Sequence, residues 1–388
     1  MITPALKQLT LILISCITIS ACAAAENVPA TVIPGESFPT TTIAALETTH
    51  PTISIPTPTN SITADPTPTP TQSVLQEAPV QLIPIQGEIS LADAEVSGMT
   101  WYDDLLLILP QYPENYPSAG GSPSLFAVAK ADILDHIDGS AAAPLETIHI
   151  PINNTQFTGQ IPGYEGFEAI AVDGEQVYLS IEANDLGTMR GYLIQGSILE
   201  GGSAIDLNQE SLLEIPTPVQ IFNAAYETLL AKDGQALAIY EVNGQNLNPD
   251  PQALQYDPNH DAFTATDFDH IEYRLTDATD IDSEGHFWVL NIFMPIEFWF
   301  YTRTDPITEM YALGETHQSN NHIERLLEFK YNDGEISPSG KPPLYLELVD
   351  DAHSRNWEAL VRLEEIGFLA MTDTYPGTIL AFVPFPGD

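Results

Sequence analysis

Short apolar runs separated by turn residues recur through the second part of the chain, from residue 79 to residue 388. Most runs have the length and composition of β-strands, and few stretches show the 3.6-residue period of a helix. One unit recurs, in which an apolar run, an acidic or glycine-bearing turn and a second apolar run follow one another. It predicts a β-hairpin. The copies are residues 96–111, 166–182, 225–241, 276–292 and 356–373.

Each gap between hairpins contains further strand-like runs, such as "SLFAVAKADI" and "ETIHIPI" after the first copy. Four strands per unit, at spacings of about 50 to 80 residues, are typical of propeller blades. The sequence therefore predicts an all-β protein with a single β-propeller of five blades. The last hairpin is followed by too little chain for a full blade, so the run at residues 80–89 is expected to close it. A six-bladed count would require residues 293–324 to be a blade, but this segment reads as an insertion with a short helical piece.

The first 22 residues, "MITPALKQLTLILISCITISAC", have the pattern of a secretory signal. A positive charge at Lys7 precedes an apolar stretch that is too short and too interrupted to span a bilayer as a helix. The end of this segment, Ile-Ser-Ala-Cys, resembles the lipobox of bacterial lipoproteins and implies a diacylglycerol on Cys22. The alternative is an ordinary signal peptide, cleaved after Ala21, Ala23 or Ala25.

Residues 23–78 are dominated by Thr, Pro, Ser and Ala and contain no Lys or Arg. Such a segment has too little apolar surface to offset the entropy of ordering, so we expect a disordered tether. The predicted organisation is a signal at residues 1–22, a tether at 23–78 and a propeller at 79–388. The protein is expected outside the cytoplasm, lipid-anchored to the cell membrane. Cys16 lies in the signal and Cys22 would be acylated, so no disulfide is expected.

The charge balance is strongly acidic, with 54 Asp and Glu against 11 Lys and Arg. This excess repels nucleic acid and raises the local concentration of cations. The alternative is that the acidity only keeps an exposed protein soluble. No nucleic-acid partner is expected, and the chain is expected to be monomeric.

Polar residues open the predicted innermost strands of the blades. Because these strands line the central channel, their openings converge at one mouth, and carboxylates brought together there either change pKa or recruit a cation. Oxygen ligands without His or Cys favour Ca²⁺. The alternative is that each acid accepts backbone N–H groups of a neighbouring blade. The candidates are Ser97, Glu168, Glu227, Asp277 (or Thr279) and Glu358.

Two blade openings, "FEAIAVDGEQVYLSIE" and "NWEALVRLEEIGFLAMTD", resemble those of the phytase-like or esterase-like propeller group. The ring of Ser and Glu is similar to that of the calcium-activated nucleotidase type of apyrase, a five-bladed propeller with calcium in its channel. The resemblance implies calcium ligation by Ser97, Glu168, Glu227 and Glu358. The fourth blade departs from this pattern, because "TDATD", which contains Asp277, stands where a Glu is expected.

The apyrase resemblance also implies cationic side chains for phosphate groups, and basic residues are sparse in this part of the chain. The candidates are Arg274, Arg355 and Arg362. No Gly-x-Ser-x-Gly elbow and no Gly-x-x-x-x-Gly-Lys loop is present. The sequence therefore favours a tethered binding module for a small molecule or protein, with a calcium-dependent phosphate- or carboxylic-ester hydrolase as the alternative. The "FWFY" run in the insertion is a candidate lid or partner surface.

Overall fold

The computed structural model describes residues 74–385, apart from residues 92, 299, 302, 303, 333, 351, 352 and 375. These residues lie in the second of two units, Pro68–Asp388. The predicted lipoprotein signal, with Cys22, and nearly all of the predicted tether lie outside the described residues. None of the helices in the described part is both long enough and apolar enough to cross a membrane.

Strands dominate the described residues, as the short apolar runs predict. The two α-helices within the described residues are α1 (Lys130–Ile137) and α2 (Pro306–Tyr311). In chain order the strands are β1 Glu77–Ala78, β2 Gln81–Ile83, β3 Val96–Tyr102, β4 Leu105–Pro110, β5 Ser124–Ala129, β6 Ile148–Asn153, β7 Tyr164–Asp173, β8 Gln176–Asp185, β9 Thr188–Ile198, β10 Ile205–Leu207, β11 Leu213–Ile215, β12 Thr228–Lys232, β13 Gln235–Ile239, β14 Gln252–Asp257, β15 Ala262–Asp267, β16 Arg274–Ala278, β17 His286–Phe293, β18 Ile323–Asn332, β19 Glu335–Pro338, β20 Leu344–Leu346, β21 Trp357–Leu363, β22 Gly367–Thr372 and β23 Leu380–Pro384.

Hydrogen bonds join these strands into four sheets. One has the order β12-β13-β14-β15, a second β21-β22-β23-β2, and a third β16-β17-β18-β20-β1 with β19 on β18. The fourth, of nine strands, has the order β3-β4-β5-β6-β10-β9-β8-β7 with β11 on β9. It contains two antiparallel units, β3 to β6 and β7 to β10, joined through a parallel pair between β6 and β10.

The first strand of each unit lies at the centre, and these strands contact one another in a closed cycle: β3 with β7, β7 with β12, β12 with β16, β16 with β21, and β21 with β3. This is the arrangement of a β-propeller, so the predicted all-β propeller class is confirmed. The number of blades stays a prediction, because two of the units share one sheet.

The N-terminal segment completes the sheet that contains the chain's last strands. Strand β2 pairs antiparallel with β23, with Gln81 opposite Phe382 and Ile83 opposite Leu380. Strand β1 pairs parallel with β20 of the neighbouring sheet. The closing strand predicted within residues 80–89 is therefore present, and it covers a sheet edge that would otherwise be open.

Apolar side chains fill the space between neighbouring sheets. Met99 and Leu106, from one sheet, share a buried cluster with Val361 and Leu369 from the next. Between β17 and β18, residues 294–322 contain no strand in their described part. They carry the 3-10 helix Pro295–Glu297 and helix α2, which agrees with the predicted insertion.

Candidate functional site

The candidate site is a cavity of about 140 Å³ at one end of the central strands. Four of the five predicted metal ligands line it: Ser97, Glu168, Glu227 and Glu358. The prediction that the openings of the innermost strands converge therefore holds for these residues. The other lining residues are Glu95, Gln111, Glu182, Asn223, Arg274 and Asp373.

β-Bulges position three of the predicted residues. The register of β3 with β4 shifts at Ser97, that of β7 with β8 at Glu168, and that of β21 with β22 at Glu358. A bulge inserts one residue and turns its side chain away from the regular alternation. These local shifts direct the three side chains toward the channel while the strands on either side keep their apolar packing.

Arg274 takes the ring position of the fourth hairpin. Its guanidinium lies 3.1 Å from Glu227 (Nη2 to Oε1), and its Nε donates to Glu241 Oε1. It also lies 3.8 Å from Glu297 and 3.9 Å from Glu358. A cation supplied by the chain therefore stands among the ring carboxylates, and it contacts acids from three parts of the fold.

Asp277 does not line the cavity. Its Oδ2 accepts the N–H of Leu360 in the neighbouring sheet at 2.7 Å, and its Oδ1 accepts the N–H of Ala278 at 2.8 Å. In this hairpin the register shift falls between Leu275 and Ala278, after Arg274 rather than at the ring position. Asp277 thus bonds backbone N–H groups, which is the alternative role that the sequence left open for these acids.

Burial raises the pKa of the ring carboxyl groups. It brings the pKa of Glu227 to about 8, although Arg274 opposes the shift. Burial, reinforced by the charge of Glu241, also raises the pKa of Glu182 to about 8. Burial and neighbouring acids raise the pKa of Glu168 and Glu358 well above the usual range. Near neutral pH the ring therefore holds protons that a bound cation would displace.

Some polar atoms at the cavity have hydrogen-bond partners and others do not. Gln111 donates to Glu168 at 2.7 Å, and Asn356 donates to Glu358. Ser97 is only 3% exposed, and its hydroxyl has no hydrogen-bond partner among the described residues. Within the described residues no three His, Cys, Asp or Glu side chains lie close enough to hold a metal ion. The calcium site therefore stays a prediction, and the predicted ligands do not form a complete ligand set for the ion.

The other two arginines predicted to bind phosphate lie away from the cavity. Arg355 is buried, bonds both carboxylate oxygens of Glu324 and donates to the backbone carbonyl of Glu347. Arg362 pairs with Asp282 and Glu365. The structure therefore does not bring Arg355 or Arg362 together with Arg274, and each of the three is already engaged by carboxylates.

Sequence reasoning overlooked the polar residues that end four of the five hairpins. Gln111, Glu182 and Asp373 end three of the repeated units and line the cavity, and Glu241 ends another and binds Arg274. Because a hairpin returns to where it started, its last residue reaches the same mouth as its first. The position of Arg274 in the ring of central-strand openings could also have been predicted from the sequence. It follows Tyr273 just as the ring glutamates follow aromatic residues in the pairs Phe167-Glu168, Tyr226-Glu227 and Trp357-Glu358.

One Ser-His-Glu grouping lies elsewhere, on the sheet that contains β5 and β6. Ser124 Oγ is 2.7 Å from Nδ1 of His149, whose Nε2 is 3.4 Å from Glu88. The serine is fully buried and its hydroxyl donates to the carbonyl of Tyr116 at 2.5 Å. A hydroxyl closed off from solvent cannot reach a substrate, so this grouping is part of the packing.

No family model matches the chain, and no curated protein sequence matches it. Solved structures with similarity include the soluble aldose sugar dehydrogenase of Escherichia coli, with 9% identity, coverage of 79% of this chain and 99% of that chain, and a TM-score of 0.40. Another is the sucrose-6-phosphate hydrolase of Lactobacillus gasseri, with 10% identity, coverage of 80% and 61%, and a TM-score of 0.42. At this level of similarity neither activity transfers to this chain.

Proposed function

We propose that this propeller is a ligand-binding module whose central cavity binds a cation. The observation that supports this proposal is the imbalance of charge around the cavity. Six carboxyl side chains line it, against the single guanidinium of Arg274. Carboxylates crowded in a buried site repel one another, so a further positive charge would be bound favourably.

The hydrogen-bonding state of the site supports this proposal. Ser97 presents an unpartnered hydroxyl, and burying such a group without a partner costs about 1–3 kcal/mol. A bound ligand that donates to this oxygen would recover that energy. The raised pKa of Glu182 and Glu227, about 8 in each case, means that cation binding would also release protons near neutral pH.

Ca²⁺ is the cation that the sequence favours, with ligands from Ser97, Glu168, Glu227 and Glu358. The ion prefers 6–8 oxygens at about 2.3–2.6 Å, so waters or a ligand would have to complete the shell. Asp277 is not part of this set, because it bonds backbone groups. Ester hydrolysis gains no support from the site, because the described residues that line the cavity include no serine paired with a base and no set of free arginines.

Calorimetric titration tests the proposal directly. CaCl₂, MgCl₂ and n-butylguanidinium chloride would each be titrated into the protein at pH 7, in two buffers with different ionisation enthalpies. We expect at least one cation to bind with proton release, seen as a buffer-dependent enthalpy. Glu227→Gln should weaken that binding, whereas Glu175→Gln, at an exposed turn, should not. Absence of binding by all three cations would refute the proposal.

The proposal includes a lipid anchor at Cys22, supported by the lipobox-like sequence and the tether that follows it. Replacing Cys22 by Ser should move the protein from the membrane fraction to the soluble fraction. Retention of a processed Cys22→Ser variant in membranes would contradict lipidation. This test is independent of the cavity, because the two features lie in different parts of the chain.

A further inference from the structure

The repeat relates two acidic pairs, and among the described residues an arginine binds only one of them. In the hairpin β12–β13, Glu227 at the opening and Glu241 at the end together bind Arg274, which comes from the next central strand. In the hairpin β7–β8 the equivalent pair is Glu168 at the opening and Glu182 at the end. Strand β7 contacts β12 as β12 contacts β16, so the two pairs have equivalent neighbours in the ring.

The position that corresponds to Arg274 beside the second pair is occupied by Glu227, another acid. Neither Glu168 nor Glu182 forms an ion pair with any lysine or arginine in the described ranges. Among the described residues, Glu168 accepts a hydrogen bond from the neutral amide of Gln111, at 2.7 Å. Both carboxyls face the cavity. Within the described residues the repeat thus places an acidic pair in both hairpins, and an arginine pairs with only one of them.

Ser97 gives an independent indication that a ligand belongs here. It lies on β3, which contacts β7, and it lines the same cavity as Glu168. Its buried hydroxyl has no hydrogen-bond partner in the part of the chain that the structure describes. An N–H donor held between Glu168 and Glu182 would find an acceptor in this oxygen. The hydroxyl and the acidic pair together present three side chains to one positively charged donor group.

We infer that Glu168 and Glu182, with Ser97, bind the guanidinium or primary ammonium group of an organic ligand, in the way that Glu227 and Glu241 bind Arg274. This inference rests on the proposed cation-binding function and names the class of cation. A guanidinium is planar, weakly hydrated and carries several donors, so it tolerates a buried carboxylate site. No three His, Cys, Asp or Glu side chains in the described ranges lie close enough together to hold a metal ion, whereas the pair Glu227 and Glu241 suffices to bind the guanidinium of Arg274.

The dimensions of the cavity agree with such a group. Its volume of about 140 Å³ is roughly ten times what a single water needs on the same measure. The cation can come from a free small amine or from an Arg or Lys side chain of a protein.

Competition among matched compounds tests the inference. n-Butylguanidinium and n-butylammonium would be titrated into the protein beside n-butylurea, a neutral compound of similar shape, and CaCl₂. We expect the two organic cations to bind at least tenfold more tightly than n-butylurea. A peptide Gly-Ser-Arg-Ser-Gly, compared with the same peptide carrying citrulline, distinguishes the sources. Tighter binding of the arginine peptide than of n-butylguanidinium indicates a protein partner, and the reverse indicates a small molecule.

Substitutions test whether the organic cation binds at Glu168 and Glu182. Glu182→Gln and Glu168→Gln each remove one charge with little change in shape and should weaken n-butylguanidinium binding at least tenfold. Glu175→Gln lies on the same hairpin at its exposed far turn and should bind as the unmodified protein does. A melting curve on each variant verifies that it is folded. If one variant does not fold, the comparison of ligands on the unmodified protein still tests the inference.

The outcomes separate this inference from the proposed function. Binding of CaCl₂ without binding of either organic cation would overturn the inference and leave the cation-binding proposal in place. Binding of n-butylguanidinium that is unchanged in both variants would also overturn it. Failure of every cation to bind would overturn both. Binding of n-butylurea as tight as that of n-butylguanidinium would show that the positive charge is not recognised.

Discussion

The carboxylate of Asp277 accepts the backbone N–H of Leu360 at 2.7 Å and so joins strand β16 to strand β21 of the neighbouring sheet. The same carboxylate accepts the N–H of Ala278 at 2.8 Å. Nearby, the hydroxyl of Thr276 donates to the carbonyl of Trp357 at 2.6 Å. Polar side chains of the central strands therefore hold two blades together where the backbones of the two sheets do not pair.

We predict that Asp277→Asn destabilises the protein by about 1–3 kcal/mol. Both oxygens of Asp277 accept an N–H, and asparagine has only one acceptor oxygen, so one buried N–H loses its partner. Urea denaturation measures the change. Asp269→Asn, at an exposed position, is the control and should change stability little. Equal stability of the two variants would contradict the interblade role of Asp277.

Stability should fall as the pH rises from about 5 to 8. Burial raises the pKa of Glu182 from the usual 4.5 to about 8 in the folded protein, so the folded state holds a proton that the unfolded state has lost. The stability that this proton contributes is fully present at pH values below the pKa of Glu182 in the unfolded state. It is lost as the pH rises through the pKa of Glu182 in the folded state. Each such group contributes a slope of up to about 1.4 kcal/mol per pH unit in this window.

The pH effect can be assigned to Glu182 by substitution. Glu182→Gln is neutral at every pH, so its free energy of unfolding should decline less between pH 5 and pH 8 than that of the unmodified protein. Glu175→Gln should follow the unmodified protein. Parallel curves for all three proteins would show that the buried carboxyl does not titrate as its environment predicts. A bound cation should flatten the curve of the unmodified protein, because it stabilises the ionised form.

The N-terminal strands should be essential for stability. A chain that begins at residue 95 lacks β1 and β2 and loses the buried side chains of Ile83 and Ile89. Burial of one such side chain contributes about 1.5–3 kcal/mol, and the edge of β23 becomes exposed as well. The chain that begins at residue 95 should therefore melt well below one that begins at residue 76. Equal melting temperatures would show that β2 does not stabilise the ring.

The sequence by itself determined the fold class, the order of the hairpins and the closing strand. Strand periodicity and turn residues are local properties, so the repeated units at residues 96–111 and 166–182 were readable without a structure. The same logic identified Ser97, Glu168, Glu227 and Glu358. The openings of equivalent strands converge because the innermost strands of a propeller line one channel.

Only the tertiary structure decided the chemistry of the cavity. The register shifts that direct Ser97, Glu168 and Glu358 inward depend on pairing across the sheet, which a single strand does not encode. In the fourth hairpin the register shift falls between Leu275 and Ala278, and Asp277 bonds a neighbouring backbone instead of lining the cavity. The raised pKa of Glu227 likewise arises from burial among distant residues. Contacts between blades set these properties, and residues far apart in the chain make those contacts.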